Sequence, residues 1–172
     1  MGVRGAAATD EDLVWMDDGT TAIAQVRVLN DAGDHAQALS LASESMEYAI
    51  DAEAEELGFH AMYAAALLGD SPAALRLGAR LDPDPMSSYY GDYVVVLGKL
   101  LLESAAFGPA AEVLEDYLLF HPAGSAAQAV HVLAAFASRG LGAADESTYH
   151  LRAAVALGPE SATGSLAQSL LP

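Results

Sequence analysis

The sequence contains no cysteine, one lysine and one asparagine. The absence of cysteine excludes disulfides, thiol nucleophiles and cysteine-ligated zinc, and it leaves the redox compartment open. Only 7 residues are Lys or Arg against 24 Asp and Glu, which gives a formal net charge of −17. Because contacts to phosphate need Lys and Arg, this balance argues against direct binding of nucleic acid or of anionic lipid.

Long apolar runs are also missing. The most apolar stretch, 93–102, contains Gly98 and Lys99 and is far shorter than the about 20 residues that a membrane span needs. The N-terminus turns acidic from Asp10 and lacks the apolar core of a signal peptide. We therefore expect a cytoplasmic protein that binds no membrane.

The composition favours helices. The 172 residues suffice for one domain with a sizeable core, and they include 37 alanines and 24 leucines, the two best apolar helix formers. With 53% hydrophobic and 18% charged residues, the chain differs from a disordered acidic polypeptide. Composition thus predicts a soluble, acidic, helical domain, and it does not identify a ligand.

A short pattern recurs at intervals of 36, 36 and 37 residues. Each copy has a turn position, usually glycine, followed five residues later by a small residue. The turn positions are Gly33, Gly69, Ala105 and Gly142, and the small residues are Ala38, Ala74, Ala110 and Ser147. Apolar residues at helical spacing lie on both sides of each turn, such as Val94, Leu97 and Leu101 before the third. The pattern predicts four antiparallel helix pairs.

Proline and glycine separate most of these units, as at 82–85, His121-Pro122 and Gly158-Pro159. At the first junction, Asp51 is predicted to be an N-cap followed by an acidic first turn. The predicted boundaries are an N-terminal extension at 1–18, helix pairs at about 19–54, 55–90, 91–127 and 128–160, and a capping helix at 161–172. The run 93–97 has high β propensity, but the repeat register places it in a helix.

These features resemble the tetratricopeptide repeat (TPR), a helix–turn–helix unit of about 34 residues. The third unit is most similar. Gly98 occupies the glycine position of the first helix, Ala110 the small position of the second, and Pro122 closes the unit. The first two units depart from the pattern, with Val26 and Met62 in place of that glycine.

The resemblance covers about 19–160 and implies an all-α, right-handed superhelical solenoid. In this family the first helix of each pair lines a concave groove that often binds a peptide. Transferring that register to the sequence selects Arg27, Asn30, Phe59, Tyr63, Asp92, Lys99, Phe136 and Arg139. Three of the 7 basic residues would then face the groove, and an acidic side chain or a C-terminal carboxylate would suit it. Alternatively, these cations are ordinary ion-pair partners on helix surfaces.

No catalytic motif is present. The sequence contains no G-x-S-x-G, no P-loop and no dinucleotide fingerprint, and its five histidines form neither H-x-x-x-H nor H-E-x-x-H. We therefore expect no cofactor and no metal site. The predicted function is a non-catalytic adaptor that binds another protein or peptide. The alternatives are a small acidic secretion or assembly chaperone, and an enzyme whose site is assembled from distant repeats and uses His131 or His150.

The N-terminal segment offers a second hypothesis. In TDEDLVWMDDG, acidic residues flank Leu13, Trp15 and Met16, a pattern that suits a basic, aromatic groove. The segment could close its own groove or insert into a neighbouring copy, which would be self-association. A disordered tail or a short helix at about 10–17 that caps the first pair are the simpler alternatives.

Overall fold

Helices form most of residues 21–172, the part of the chain that the computed structural model describes, and this part contains no strand. The predicted N-terminal extension at 1–18, including the alternative of a short capping helix at about 10–17, lies outside the described residues. The helices are α1 (Ala22–Asp31), α2 (His35–Met46), α3 (Asp51–Leu67), α4 (Ser71–Gly78), α5 (Tyr90–Glu103), α6 (Phe107–Phe120), α7 (Ala127–Gly140), α8 (Ala144–Leu157) and α9 (Ala162–Leu170). No helix within 21–172 is both long enough and apolar enough to cross a membrane.

The first eight helices form four hairpins, and each hairpin turns at one of the recurrent positions. Gly33, Gly69 and Gly142 have φ values of 83°, 79° and 79°, in the left-handed region that glycine adopts without strain. The next amide after each turn residue bonds back to a carbonyl five residues earlier, as from Asp34 N–H to Leu29 O at 2.9 Å. Ala105 adopts the same conformation at φ 57° despite its Cβ. Each copy of the repeat therefore marks the C-terminus of the first helix of a hairpin, and all four C-termini have the same geometry.

The beginning of α3 differs from the prediction. Its N-cap is Ile50, in an extended conformation with φ −122° and ψ 148°. The helix range begins at Asp51, whose own φ of 45° is left-handed. The second hairpin therefore begins at Asp51, slightly before the predicted boundary at 55. Asp51 and Glu53 still lie in the first turn, where carboxylates interact favourably with the helix dipole.

The run 93–97 lies within α5, so the helix predicted by the repeat register is confirmed. Tyr93, Val94 and Leu97 are buried in the central core, where α5 packs between neighbouring helices. The Tyr93 hydroxyl also donates to Gly78 O at 3.3 Å. Tertiary burial thus outweighs the β propensity of this run.

The helix α9 closes the C-terminal end of the solenoid, as predicted. It packs on α7 and α8 and buries Ala167 beside Leu151 and Ala154. Ser161 caps α9 by accepting a hydrogen bond from Gly164 N–H at 2.8 Å. This helix covers the apolar face that the last hairpin would otherwise expose.

Candidate functional site

The first helices of the first three hairpins enclose a cleft of about 440 Å³. Aromatic and aliphatic side chains form its walls, and polar side chains of both charges form its rim. The lining residues are Arg27, Asn30 and Asp31 from α1; Phe59, His60 and Tyr63 from α3; Asp92, Val95 and Val96 from α5; and Ser88 and Tyr89 just before α5. We call this the α1–α3–α5 cleft. It brings together five of the predicted groove residues: Arg27, Asn30, Phe59, Tyr63 and Asp92.

The aromatic wall is built around Phe59. Its ring stacks on Tyr89 at a centroid distance of 5.3 Å and an angle of 16°, and it contacts Tyr63 at 6.2 Å. Only 4% of Phe59 is exposed, so this side chain belongs mainly to the central core and presents an edge to the cleft. Tyr63 is partly exposed and is the more accessible aromatic surface.

A charged network joins α1 to α3 at the rim of the α1–α3–α5 cleft. Arg27 donates from Nε to His60 Nε2 at 3.2 Å, and its guanidinium pairs with Glu56. Burial, and secondarily the charge of Arg27, lowers the pKa of His60 from 6.5 to about 4. His60 is therefore neutral at pH 7 and can accept the hydrogen bond from Arg27.

Asn30 serves mainly to connect structural elements. Its side chain donates to the backbone oxygen of His60 at 3.5 Å, and its Oδ1 lies 3.2 Å from His35 Nδ1. Only 6% of the residue is exposed. Asn30 thus links α1, α2 and α3, and little of it is accessible to a ligand.

The remaining predicted groove residues lie in a second cleft, of about 530 Å³, between α5 and α7. We call it the α5–α7 cleft. It is lined by Lys99, Leu102, Glu103, Phe107, Phe136, Arg139 and Gly140. Lys99 Nζ lies 3.8 Å from Glu103, and Arg139 donates to Leu170 O at 3.2 Å. The single groove expected from the sequence is therefore divided into two clefts, and α5 contributes to both.

Each of the three predicted groove cations already has a partner. Arg27 pairs with Glu56, Lys99 with Glu103, and Arg139 with the carbonyl at the end of α9. Arg27 and Lys99 thus form ion pairs, as in the alternative interpretation, whereas Arg139 binds a backbone carbonyl. The pairs differ in strength, because Arg27 holds a direct contact and Lys99 a long, solvent-exposed one.

Sequence reasoning missed several lining residues, above all His60, Tyr89 and the Glu56 that pairs with Arg27. His60 and Glu56 lie at i, i+4 on α3, with Tyr63 three residues further on, so helical spacing alone could have placed them on one face. Tyr89 precedes α5 in a loop, and its approach to Phe59 depends on how the hairpins stack.

No protein-family model and no curated protein matches the sequence. Solved structures do match. A MamA RS-1 ArsTM double mutant superposes with a TM-score of 0.68 at 22% identity, covering 85% of this chain and 79% of that one. A MamA MSR-1 C2 structure gives 0.59 at 18% identity, covering 93% and 86%. MamA is a TPR-like protein.

The chain has a TPR-like fold. The prediction from the recurrent turn and small residue is thereby confirmed at the level of architecture, an all-α superhelical solenoid with a C-terminal capping helix. In this TPR-like solenoid the α1–α3–α5 and α5–α7 clefts lie along the first helices of the hairpins.

Proposed function

We propose that this TPR-like chain is a non-catalytic scaffold that binds a segment of another protein along its first helices. The observation that carries the proposal is the α1–α3–α5 cleft, whose about 440 Å³ lies between three such helices. Its aromatic edges and polar rim match the composition of sites that bind peptide side chains. The TPR-like architecture supports the same function, because stacked helix pairs present extended binding surfaces.

The α5–α7 cleft is the better place for an acidic residue or a C-terminal carboxylate of the partner. The side chain of Lys99 is 69% exposed, and its 3.8 Å pair with Glu103 is a surface ion pair that contributes about 0–1 kcal/mol. A carboxylate could therefore replace Glu103 at little cost. Phe136 is 40% exposed beside Lys99 and offers an apolar anchor. Arg27 is less suited, because it is held by Glu56 and His60.

Pull-down at two salt concentrations with matched charge-reversal variants tests this proposal. Lys99→Glu changes the α5–α7 cleft, whereas Arg152→Glu makes the same change on the exposed surface of α8. Wild type and Arg152→Glu should capture the same partner at low salt, and Lys99→Glu should lose it. High salt should weaken capture by wild type, because exposed charges are screened. Equal capture by the two variants would contradict the acidic-partner proposal.

Three further measurements separate the other functions. A secretion or assembly chaperone would keep its captured partner soluble in an aggregation assay, which a simple adaptor does not. An enzyme would lose turnover, rather than partner capture, when His131 or His150 is substituted. Self-association through the N-terminal segment would give a concentration-dependent mass in light scattering that Trp15→Ala lowers.

A further inference from the structure

Three potential metal ligands come together between the second helices of the last two hairpins. Glu115 belongs to α6, while Glu146 and His150 belong to α8, where their i, i+4 spacing places them on one face. One oxygen of each carboxylate and one ring nitrogen of His150 all lie within 4.8 Å of one another. We propose that these side chains bind one divalent transition-metal ion of the Zn²⁺ type.

The two carboxylates face each other without a cation. Neither Glu115 nor Glu146 forms an ion pair with a Lys, Arg or His among residues 21–172. The two negative charges repel each other at this separation. A divalent ion between the carboxylates would replace this repulsion by attraction.

A hydrogen bond to His131 and a ring contact with Tyr149 hold His150 in position. Only 5% of the residue is exposed, and its Nδ1 lies 3.0 Å from Nδ1 of His131. Tyr149 contacts the ring of His150 at a centroid distance of 5.2 Å and an angle of 67°. Since Nδ1 is occupied by His131, Nε2 is the nitrogen that His150 offers to a metal.

A hydrogen bond on the second ring nitrogen is a feature that His150 shares with metal-binding histidines. A ligating imidazole normally donates its other ring N–H to a hydrogen-bond acceptor, which fixes the tautomer and the orientation of the ring. Here His150 Nδ1–H would donate to the unprotonated Nδ1 of His131. His131 is thus a positioning residue.

The ligand types select the class of ion. Mg²⁺ and Ca²⁺ prefer sites made entirely of oxygen, whereas Zn²⁺ binds imidazole nitrogen and carboxylate oxygen at about 2.0–2.2 Å. Tetrahedral ligand atoms at such distances lie about 3.3 Å apart. Glu115 and Glu146 are exposed, so rotation of their side chains can close the remaining gap without moving a helix.

Calorimetric titration of the full chain with Zn²⁺, in excess Mg²⁺, tests the proposal. Mg²⁺ occupies the nonspecific sites that a net charge of −17 creates. We expect one Zn²⁺ per chain, and binding weakened by more than about tenfold in Glu115→Gln and in Glu146→Gln. Glu112→Gln on α6 and Asp145→Asn on α8 remove the same charge from the same helices and should bind as wild type does.

The proposal is overturned if no stoichiometric binding survives Mg²⁺, or if the ligand variants bind as tightly as their controls. Circular dichroism should show that all four variants are folded and helical at the temperature of the titration, because each substituted side chain is exposed.

Cobalt absorption tests the role of His131 separately. His131→Asn keeps an acceptor for the His150 N–H, whereas His131→Leu removes it. The leucine variant should bind Co²⁺ about 10–100-fold more weakly with an altered visible spectrum, and the asparagine variant should be close to wild type. Identical spectra and affinities in the two variants would show that His131 does not position His150.

Discussion

Replacement of Gly98 by alanine tests the tight contact between α5 and α6. A Cβ added at Gly98 would lie 2.8 Å from Leu114 Cδ2 and 3.2 Å from its Cγ. Leu114 is completely buried in the central core, so its side chain has no free space into which to rotate. The substitution therefore overfills the interface at the position that resembles the TPR glycine.

Two opposing free-energy terms determine how much Gly98→Ala changes the free energy of unfolding. Alanine in a helix interior is favoured over glycine by about 0.5–1 kcal/mol, and overpacking of a core costs about 1–3 kcal/mol. Gly98→Ala should thus lower the free energy of unfolding by about 1 kcal/mol, or the Tm by about 2–4 °C. Gly108→Ala on α6 is the matched control, because no atom lies within 4 Å of its added Cβ. It should raise stability by about 0.5 kcal/mol.

Thermal and urea unfolding followed by circular dichroism give both values. A double-mutant cycle with Leu114→Ala provides the decisive comparison, because the added methyl should cost little once Leu114 is shortened. If Gly98→Ala melts at or above the wild-type temperature, or shows no coupling to Leu114, the packing argument is refuted.

Two further predictions concern stability at acid pH and the packing of the C-terminal capping helix α9. The pKa of His60 is about 4 in the folded chain, against 6.5 for an unperturbed histidine. Neutral His60 therefore contributes fully to the free energy of unfolding above pH 6.5, and this contribution is lost as the pH falls toward 4. Between pH 7 and 4.5, the free energy of unfolding of His60→Gln, measured in urea, should therefore fall by up to about 2 kcal/mol less than that of wild type. Equal decreases in the two proteins would show that His60 is not a source of the acid sensitivity. In Gly164→Ala, the added Cβ would strike the backbone carbonyl of Gly158, which cannot rotate away. Amides of α9 should then exchange hydrogen faster while those of α3 do not, and unchanged exchange in α9 would contradict the contact.

Much of the fold was predictable because it depends on local chemistry. A left-handed residue at a helix C-terminus requires glycine or tolerates few others, so Gly33, Gly69 and Gly142 mark hairpin turns in the sequence itself. Ala105 shows that the recurrence, rather than glycine alone, carries the signal. The N-cap of α3 was misplaced at Asp51, since an acidic residue is equally favourable at the cap and in the first turn.

The candidate sites were only partly predictable. The first-helix register selected residues that do line clefts, but it could not show that they divide between two. Nor could it show that Asn30 is occupied with His60 and His35. The expected absence of a metal site was based on spacing within one helix, and the proposed site takes Glu115 from a different hairpin.

The sequence by itself determined the helical class, the four turns and which helix of each pair comes first, because helix periodicity and turn conformation act over only a few residues. Only the tertiary structure decided which charged side chains lie together. Arg27 meets Glu56 and Glu115 meets Glu146 across about thirty positions of sequence, at distances set by how successive hairpins stack. That stacking depends on how the volumes of buried side chains fit together, as Leu114 does against Gly98. The spacing of apolar residues along the sequence does not contain this information.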